Sequence, residues 1–280
     1  MLRTASARVL DARDLAEVRA LLDLDPVVNV FVTSRLESSG LEPWRLGAEM
    51  WGFGDRGRLE SLCYSGPNLV PVQSSPEALK AFAERARRQG RRCSSIVGPA
   101  EVIEPFWQLL APHWGWPREL RLNQPHLMID SEPLLPPDPD VRLVRPDELD
   151  VLLPACVRMF TEEVGISPNA PDGGALYRAR VEELISQNLA WARIQDGQVL
   201  FKAEIGCATD KACQVQGVWV HPSLRGQGLG TAGTAAVVQQ ARASVAPVVS
   251  LYVNDYNKAA RKAYAKVGFR EIGTFASILF

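Results

Sequence analysis

A proline-rich segment near the middle of the chain divides the sequence into two parts. Residues 130–140 read DSEPLLPPDPD, with four prolines and neither helical nor alternating apolar spacing. Proline fixes the backbone angle φ and removes an amide donor, so we expect a stiff connector here rather than a core element. The sequence therefore predicts an N-terminal domain over 1–130, a linker over 131–140 and a C-terminal domain over 141–280. The 280 residues are enough for two domains of ordinary size.

The two parts repeat one pattern of elements. RVLDARDL from Arg8 and RLVRPDEL from Arg142 both predict a short strand, a turn and the start of a helix. The stretch beginning CSSIVGPAEV at Cys93 matches the one beginning VVSLYVNDYN at Val248, in the order strand, loop, helix. RELRLNQPHLMID then corresponds to REIGTFASILF as a closing strand. Self-similarity at this spacing predicts tandem copies of one α/β unit.

Apolar spacing and turn signals locate the elements of the C-terminal part. Helices are predicted over 151–160, 175–187, 226–243 and 258–266, and strands over 191–194, 199–207, 214–220 and 248–253. Asp196 and Gly197 separate the first two strands and predict a hairpin, because glycine accepts the positive φ of a primed turn. This order predicts a mixed α/β fold, with a central mixed β-sheet flanked by helices in each domain.

The composition limits the classes of function. Hydrophobic residues make up 46% of the chain and the formal net charge is -1, so nothing favours nucleic acid or an anionic membrane as a partner. No apolar run approaches the roughly 20 residues that cross a bilayer, and the first residues lack the apolar core of a secretory signal. We predict a cytoplasmic protein. The five cysteines form no C-x-x-C pair and are predicted to be buried free thiols, without a metal site.

A glycine-rich turn before one predicted helix has the features of an anion site. VWVHPSLRGQGLG, from Val218 to Gly230, predicts a strand, a tight bend and the start of a helix. The free amides and the dipole at a helix N-terminus favour phosphate. Glycines at 226, 228 and 230 would allow a pyrophosphate to approach the backbone closely.

The same stretch also matches a dinucleotide fingerprint. Residues 228–233 read GLGTAG, which fits G-x-G-x-x-G, and Asp255 follows about twenty residues later. In the dinucleotide fold the first glycine follows its strand almost at once, whereas residues 221–227 intervene here. Too few strands follow to complete such a sheet. We therefore disfavour a dinucleotide site, and a helix start that binds nothing is the simpler alternative.

Two motifs together resemble the GNAT N-acetyltransferase superfamily. The first is R-x-x-G-x-G from Arg225, after a strand that ends V-x-P at Val220, and it is similar to the family's pyrophosphate loop. The second is N-x-x-A from Asn257, followed by Tyr264 and a terminal G-F at 268–269. The resemblance covers residues 141–280. The first 130 residues lack the loop motif and resemble a degenerate GNAT-like domain, which implies a tandem arrangement.

The resemblance implies that acetyl-CoA is the cofactor and that an acyl group passes to an amine in a ternary complex. It places the pyrophosphate at the loop, the pantetheine arm along the preceding strand and further contacts at the second motif. The implied cofactor-binding residues are Val218, Trp219, Val220, Arg225, Gly226, Gln227, Gly228, Leu229, Gly230, Asn257, Ala260 and Tyr264.

Two residues are candidates for catalysis. Tyr264 resembles the family's general acid near the coenzyme A sulfur, and the alternative is an aromatic ring that only packs the last helix. Many family members have a glutamate on the strand before the loop, but Gln214 and Gln216 stand there. Glu204, on the adjacent predicted strand, is the nearest carboxylate and our candidate base. It shares a strand face with Lys202, so an ion pair is the alternative. Two further carboxylates lie where the family shapes its acceptor pocket, and exposed glutamates are their simpler interpretation: Glu162 and Glu163.

Three functions remain open on these grounds. The first is an N-acetyltransferase, an enzyme acting on a small-molecule or peptide amine. The second is a non-catalytic acyl-CoA sensor, which the missing strand glutamate favours. The third is an aminoacyl or peptidyl transferase of the tandem GNAT-like type, which the intact loop disfavours. The acceptor and the oligomeric state, including a homodimer, are not specified by the sequence.

Overall fold

The computed structural model describes residues 6–55, 57–169 and 173–280. Within them the chain forms two compact units. The first contains the described residues up to His126, together with Tyr252–Asp255 and Ile272–Phe280, and the second contains Leu127–Leu251 and Tyr256–Glu271. Each unit combines a mixed β-sheet with helices, which confirms the predicted mixed α/β fold class.

The described residues form twelve strands and nine α-helices. The strands are β1 (Arg8–Val9), β2 (Glu49–Asp55), β3 (Arg58–Ser65), β4 (Asn68–Val72), β5 (Ser95–Pro99), β6 (Glu119–Ile129), β7 (Arg142–Leu143), β8 (Ala190–Gln195), β9 (Gln198–Ala208), β10 (Ala212–Val220), β11 (Val248–Tyr252) and β12 (Arg270–Leu279). The helices are α1 (Leu15–Leu22), α2 (Val30–Ser39), α3 (Pro43–Leu46), α4 (Pro76–Gln89), α5 (Ala100–Trp114), α6 (Leu149–Val164), α7 (Ala175–Ser186), α8 (Leu229–Ser244) and α9 (Lys258–Val267).

The sheet of the first unit has helices on both faces. Its strand order is β1-β2-β3-β4-β5-β12-β6, with β6 contributing residues 119–126. In the part of the sheet from β1 to β12, β4 and β5 run parallel and the other neighbours run antiparallel. Successive residues of β3 alternate between two cores. Cys63 lies in the core built with α4 and α5, whereas Leu62 and Tyr64 lie in the core built with α1–α3.

The sheet of the second unit has the order β7-β8-β9-β10-β11, and only β10 and β11 run parallel. Helices α6 and α7 pack on one face and bury Trp219 of β10. Helix α8 packs on β9 and β10. The hairpin between β8 and β9 is confirmed: Asp196 and Gly197 have φ values of +50° and +72°.

Both units begin with the same structural motif. The guanidinium of Arg8 donates two hydrogen bonds to Asp14, of 2.8 and 2.7 Å, and Arg142 does the same to Glu148. Each carboxylate also accepts a backbone N–H three residues earlier, at 3.0 Å in the first unit and 2.9 Å in the second. The repeat seen in the sequence is therefore a repeat of structure.

Replacing Glu148 with Gln is expected to remove a pH-dependent part of the stability. The side-chain hydrogen bonds from Arg142 hold the pKa of Glu148 at about 2, below its ordinary 4.5. A lowered pKa contributes stability that is present above the unfolded value and is lost as the pH falls towards the folded value. Urea unfolding at a series of pH values should show Glu148→Gln about 1–3 kcal/mol less stable than wild type at pH 7, with the gap closing between pH 4.5 and 2.

The control for this prediction is Asp150→Asn. Asp150 is paired with Arg178 but its side chain is 80% exposed, so the change should stay within about 0.5 kcal/mol. A gap between wild type and Glu148→Gln that is independent of pH would contradict the assignment to this ion pair.

Strand β12 does not follow the order of the sequence repeat. Its residues from Phe275 to Leu279 pair with β5, so it belongs to the sheet of the first unit. The sequence-based bounds place these residues in the C-terminal domain. Helix α8 also begins later than the predicted start at residue 226, at Leu229, because Gly226 and Gly228 have positive φ.

All five cysteines are free and buried, as predicted. No helix of the described residues is both long and apolar enough to span a bilayer.

Candidate active site

Strand β10 separates from β11 after a short parallel pairing. The paired residues are Ala212, Cys213 and Gln214 with Val248, Val249 and Ser250. On its other side, the register of β10 with β9 shifts between Gln216 and Trp219, where Gly217 has a φ of +60°. A bulge of this kind bends a strand and increases its twist. The half of β10 that leads to the glycine-rich turn is therefore directed away from β11.

The turn after β10 is shaped by two glycines in left-handed conformations. Gly226 has a φ of +79° and Gly228 a φ of +90°, values that L side chains rarely adopt. A Cβ added to either residue would meet no atom within 4 Å. The backbone of the turn therefore requires glycine while the space beside it is open.

The next two glycines have a packing role instead. A Cβ on Gly230 would lie 3.2 Å from Cγ2 of Val220, and one on Gly233 would lie 2.7 Å from the ring of Phe201. They allow α8 to approach β10 and β9 closely. The last glycine of the G-x-G-x-x-G match, Gly233, is therefore required by its packing against the buried Phe201 and not by a dinucleotide.

The N-terminus of α8 is suited to an anion. The first hydrogen bonds of the helix run from the amides of Thr231 and Ala232 to the carbonyl of Gly228, at 3.0 and 3.1 Å. The amides before Thr231 precede this ladder and are the ones available to a ligand. No acidic residue occupies the first turn of α8. The helix dipole adds roughly half a positive charge at this end. A phosphate group fits this arrangement.

Arg225 anchors the turn to helix α6. Its Nε donates to the carbonyl of Val220 at 3.1 Å, and its Nη2 donates to Glu162 at 2.7 Å. The other oxygen of Glu162 accepts from the indole N–H of Trp219 at 3.3 Å. The sequence suggested only an acceptor-pocket or an exposed role for Glu162. It is 63 residues from Arg225 in sequence, so no local motif could reveal the contact.

A buried polar cluster lies beneath the bulge of β10. Lys202 Nζ is 2.6 Å from Glu204 Oε2 and 3.5 Å from the sulfur of Cys156. The side-chain amide of Gln216 donates to the other oxygen of Glu204 at 3.1 Å. Burial acts to lower the pKa of Lys202, but Glu204 outweighs it and the pKa is raised above the ordinary value. Both oxygens of the candidate base are thus engaged.

Tyr264 is buried near the end of α9. It is 7% exposed, and its ring centroid is 5.8 Å from that of Phe269. Burial raises the pKa of Tyr264 well above its ordinary value, and the charge of Glu163 raises it further. The hydroxyl is therefore protonated throughout the neutral range.

The N-x-x-A motif forms the N-cap of α9. The side-chain oxygen of Asn257 accepts a hydrogen bond from the amide of Ala260 at 3.1 Å. This cap explains why an asparagine stands there. Contacts of these two residues with a cofactor stay a prediction.

Two family descriptions match parts of the chain. Residues 173–269 match the Acetyltransferase (GNAT) family, and residues 48–152 match a domain of unknown function, DUF4081. Among curated proteins, the comparison finds no match.

Several solved structures resemble the whole chain. A Drosophila protein superposes with a TM-score of 0.69 at 11% identity, covering 99% of both chains. A GNAT-family acetyltransferase from Colwellia psychrerythraea gives a TM-score of 0.59 at 16% identity, covering 98% of this chain and 99% of that one. A tandem GNAT protein from the clavulanic acid biosynthesis pathway, solved without AcCoA, gives 0.57 at 15% identity, covering 98% of each chain. At these identities the likeness shows the fold. Residues 173–269 are therefore similar to the GNAT acetyltransferase family, and the chain as a whole has the fold of these solved GNAT structures.

Proposed function

We propose that the protein is an acetyl-CoA-dependent N-acetyltransferase that acts in the cytoplasm on a small-molecule or peptide amine. The observation that carries this proposal is the open, glycine-shaped turn at the N-terminus of α8. It follows a strand that leaves its neighbour and so has an unpaired edge. The GNAT match over residues 173–269 supports acyl transfer as the reaction class.

The turn and the strand would bind different parts of the cofactor. The amides from Gly226 to Gly230 would donate to the pyrophosphate, while the edge of β10 at Val218 and Val220 would pair with the amides of the pantetheine arm. Val218 and Val220 are half-buried, and Trp219 between them faces the core. Alternation along the strand therefore places the side chains of Val218 and Val220 on the face opposite Trp219, where Val220 lies against α8, and the cofactor would contact the backbone edge of these residues.

The reaction would form one C–N bond and break one C–S bond. The neutral amine attacks the thioester carbonyl carbon, the thiolate leaves, and the amine loses a proton. Tyr264, protonated at neutral pH, would act as general acid and donate its proton to the leaving sulfur. Glu204 would accept the amine proton, directly or through a water. For this, one of its oxygens would have to give up its hydrogen bond with Lys202 or Gln216.

Gly226→Trp is expected to abolish most acetyl-CoA binding. The indole would occupy the open space beside the turn and block several charge-assisted hydrogen bonds to phosphate. Each such bond contributes about 1.5–3 kcal/mol, so isothermal titration calorimetry should show an affinity at least about a hundredfold weaker.

Gly197→Trp is the matched control. Gly197 lies at the tip of the β8–β9 hairpin, has a φ of +72°, and would also place a Cβ in open space. It carries the same backbone strain as Gly226→Trp but should leave acetyl-CoA affinity unchanged. Failure of the wild type to bind acetyl-CoA at millimolar concentration would refute the proposed cofactor.

A non-catalytic acyl-CoA sensor is the second candidate. The engagement of both oxygens of Glu204 favours it, because no unpartnered carboxylate is seen at that position. Acetyl-CoA binding without thiol release, across a broad panel of amines, would support the sensor. Turnover with any amine, lost in Gly226→Trp, would support the transferase.

A further inference from the structure

The first unit contains a cavity of about 530 Å³. No sequence motif of the first unit predicts it. It lies where β4 and β5 separate: they pair only at Asn68–Ser95 and Leu69–Ile96. Pro71 and Val72 line one side and Pro99 lines the other. The same divergence of a parallel strand pair therefore occurs in both units.

Polar side chains from three places in the first unit line this cavity. Asp25 and Asn29 come from the segment before α2, Glu101 from the first turn of α5, and His126 from β6. Phe275 of β12 completes the wall, with its ring centroid 4.3 Å from that of His126.

His126 is a buried group without a full set of partners. It is 1% exposed, and its Nε2 has no hydrogen-bond partner. Burial lowers the pKa of His126 to about 4, although Asp25 acts to raise it, so the ring is neutral at pH 7. An unpaired buried polar atom destabilises the folded state. A ligand with a polar hydrogen would satisfy Nε2.

The charges around the cavity favour a cation. Asp25 and Glu101 contribute two carboxylates, and none of the described lining residues is Lys or Arg. The N-terminus of α4 contributes roughly half a positive charge, but Ser75 caps it and Glu77 stands in its first turn. The full charges of two carboxylates outweigh that partial charge. The turn before α8 differs from the cavity, because its one carboxylate, Glu162, is paired with Arg225 and no acidic residue stands in the first turn of α8.

We propose that the cavity of the first unit binds a small molecule that carries a protonated amine. Its volume lies within the range of about 300–1,000 Å³ that is usual for small-molecule sites. Asp25 and Glu101 would receive the ammonium group, and His126 Nε2 would hydrogen-bond to the ligand. This site is independent of acyl transfer by the second unit.

Two matched series of probes test the charge preference on the full chain. Putrescine, 1,4-butanediol and succinate share four carbons, and tyramine, tyrosol and 4-hydroxyphenylacetate share a phenol. In calorimetric titrations each amine should bind at least about tenfold more tightly than its alcohol, because a charge-assisted hydrogen bond contributes about 1.5–3 kcal/mol. The carboxylates should bind most weakly. Equal or tighter binding of the carboxylates, or no binding of either amine at millimolar concentration, would overturn the proposal.

Three variants locate the binding site. Asp25→Asn should weaken amine binding about tenfold, and Glu104→Gln, an exposed carboxylate further along α5, should not. Gly273→Phe places a ring where an added Cβ meets open space at the cavity wall, and should abolish binding without lowering the melting temperature. Retention of amine binding in Gly273→Phe would place the amine elsewhere and refute this site.

Amine binding should persist in Gly226→Trp, whose defect is in acetyl-CoA binding. The proposed cofactor site and the proposed amine site can therefore fail separately.

Discussion

Lys202→Met is expected to destabilise the second unit by about 3–5 kcal/mol, because it leaves a buried carboxylate without its counter-ion. Glu204 is 8% exposed and lies 2.6 Å from the ammonium of Lys202. Methionine keeps the length of the side chain but removes the charge. Urea unfolding at pH 7, followed by circular dichroism, measures the loss.

The double variant Lys202→Met/Glu204→Leu separates the pair from the packing. It removes both charges, and replacing a buried ion pair with apolar residues is often neutral or stabilising. We expect it to recover most of the stability lost in Lys202→Met. The pKa of Lys202 is higher in the folded protein than its unfolded value of 10.5. The stability that the Lys202 ammonium contributes is therefore fully present below pH 10.5 and is lost as the pH rises through the folded pKa. A double variant as unstable as Lys202→Met would show that shape, not charge, requires the lysine.

Tyr264→Phe is expected to lower kcat by about 10²–10⁴ and to leave KM for acetyl-CoA nearly unchanged, which is typical of the loss of an acid–base group. The ring and its contact with Phe269 remain in the variant. Thiol release in the presence of the best amine acceptor gives both parameters. This prediction depends on the proposed transferase activity.

Tyr177→Phe is the matched control for Tyr264→Phe. The hydroxyl of Tyr177 donates to the carbonyl of Cys156 at 3.0 Å, so its removal should cost about 1 kcal/mol of stability and little activity. An unchanged kcat in Tyr264→Phe would assign Tyr264 to packing alone. That is the alternative that helix spacing already suggested.

The local elements of the second unit could be predicted from sequence because each has a local cause. Asp196 and Gly197 specify the β8–β9 turn through their positive φ, and apolar spacing predicts α6, α7 and α9. The pairing of β12 with β5 could not be predicted in this way. Alternation along a strand indicates which face is buried but does not identify the neighbouring strand.

In the candidate site, too, the features that are local in sequence could be predicted and the contacts between distant elements could not. The turn at residues 225–230 was found because a helix N-terminus and its glycines are adjacent in sequence. The contacts of Glu162 with Arg225 and Trp219 join residues of different elements and have no sequence signal. Lys202 and Glu204 were predicted to share a strand face, but their burial depends on α6 and on Gln216 from β10. The cavity of the first unit was missed because its wall comes from distant segments.

The place of β12 also has a consequence for biosynthesis. Residues of the first unit are made early, but the partner of β5 is encoded after the entire second unit. Until it is translated, one edge of β5 offers unpaired backbone groups, and such edges attract other chains. In most multidomain chains the N-terminal domain folds first, while the rest of the chain is still being translated. Here the first unit cannot complete its sheet at that stage, because β12 has not yet been made. During translation the second unit has all of its strands before the first has β12.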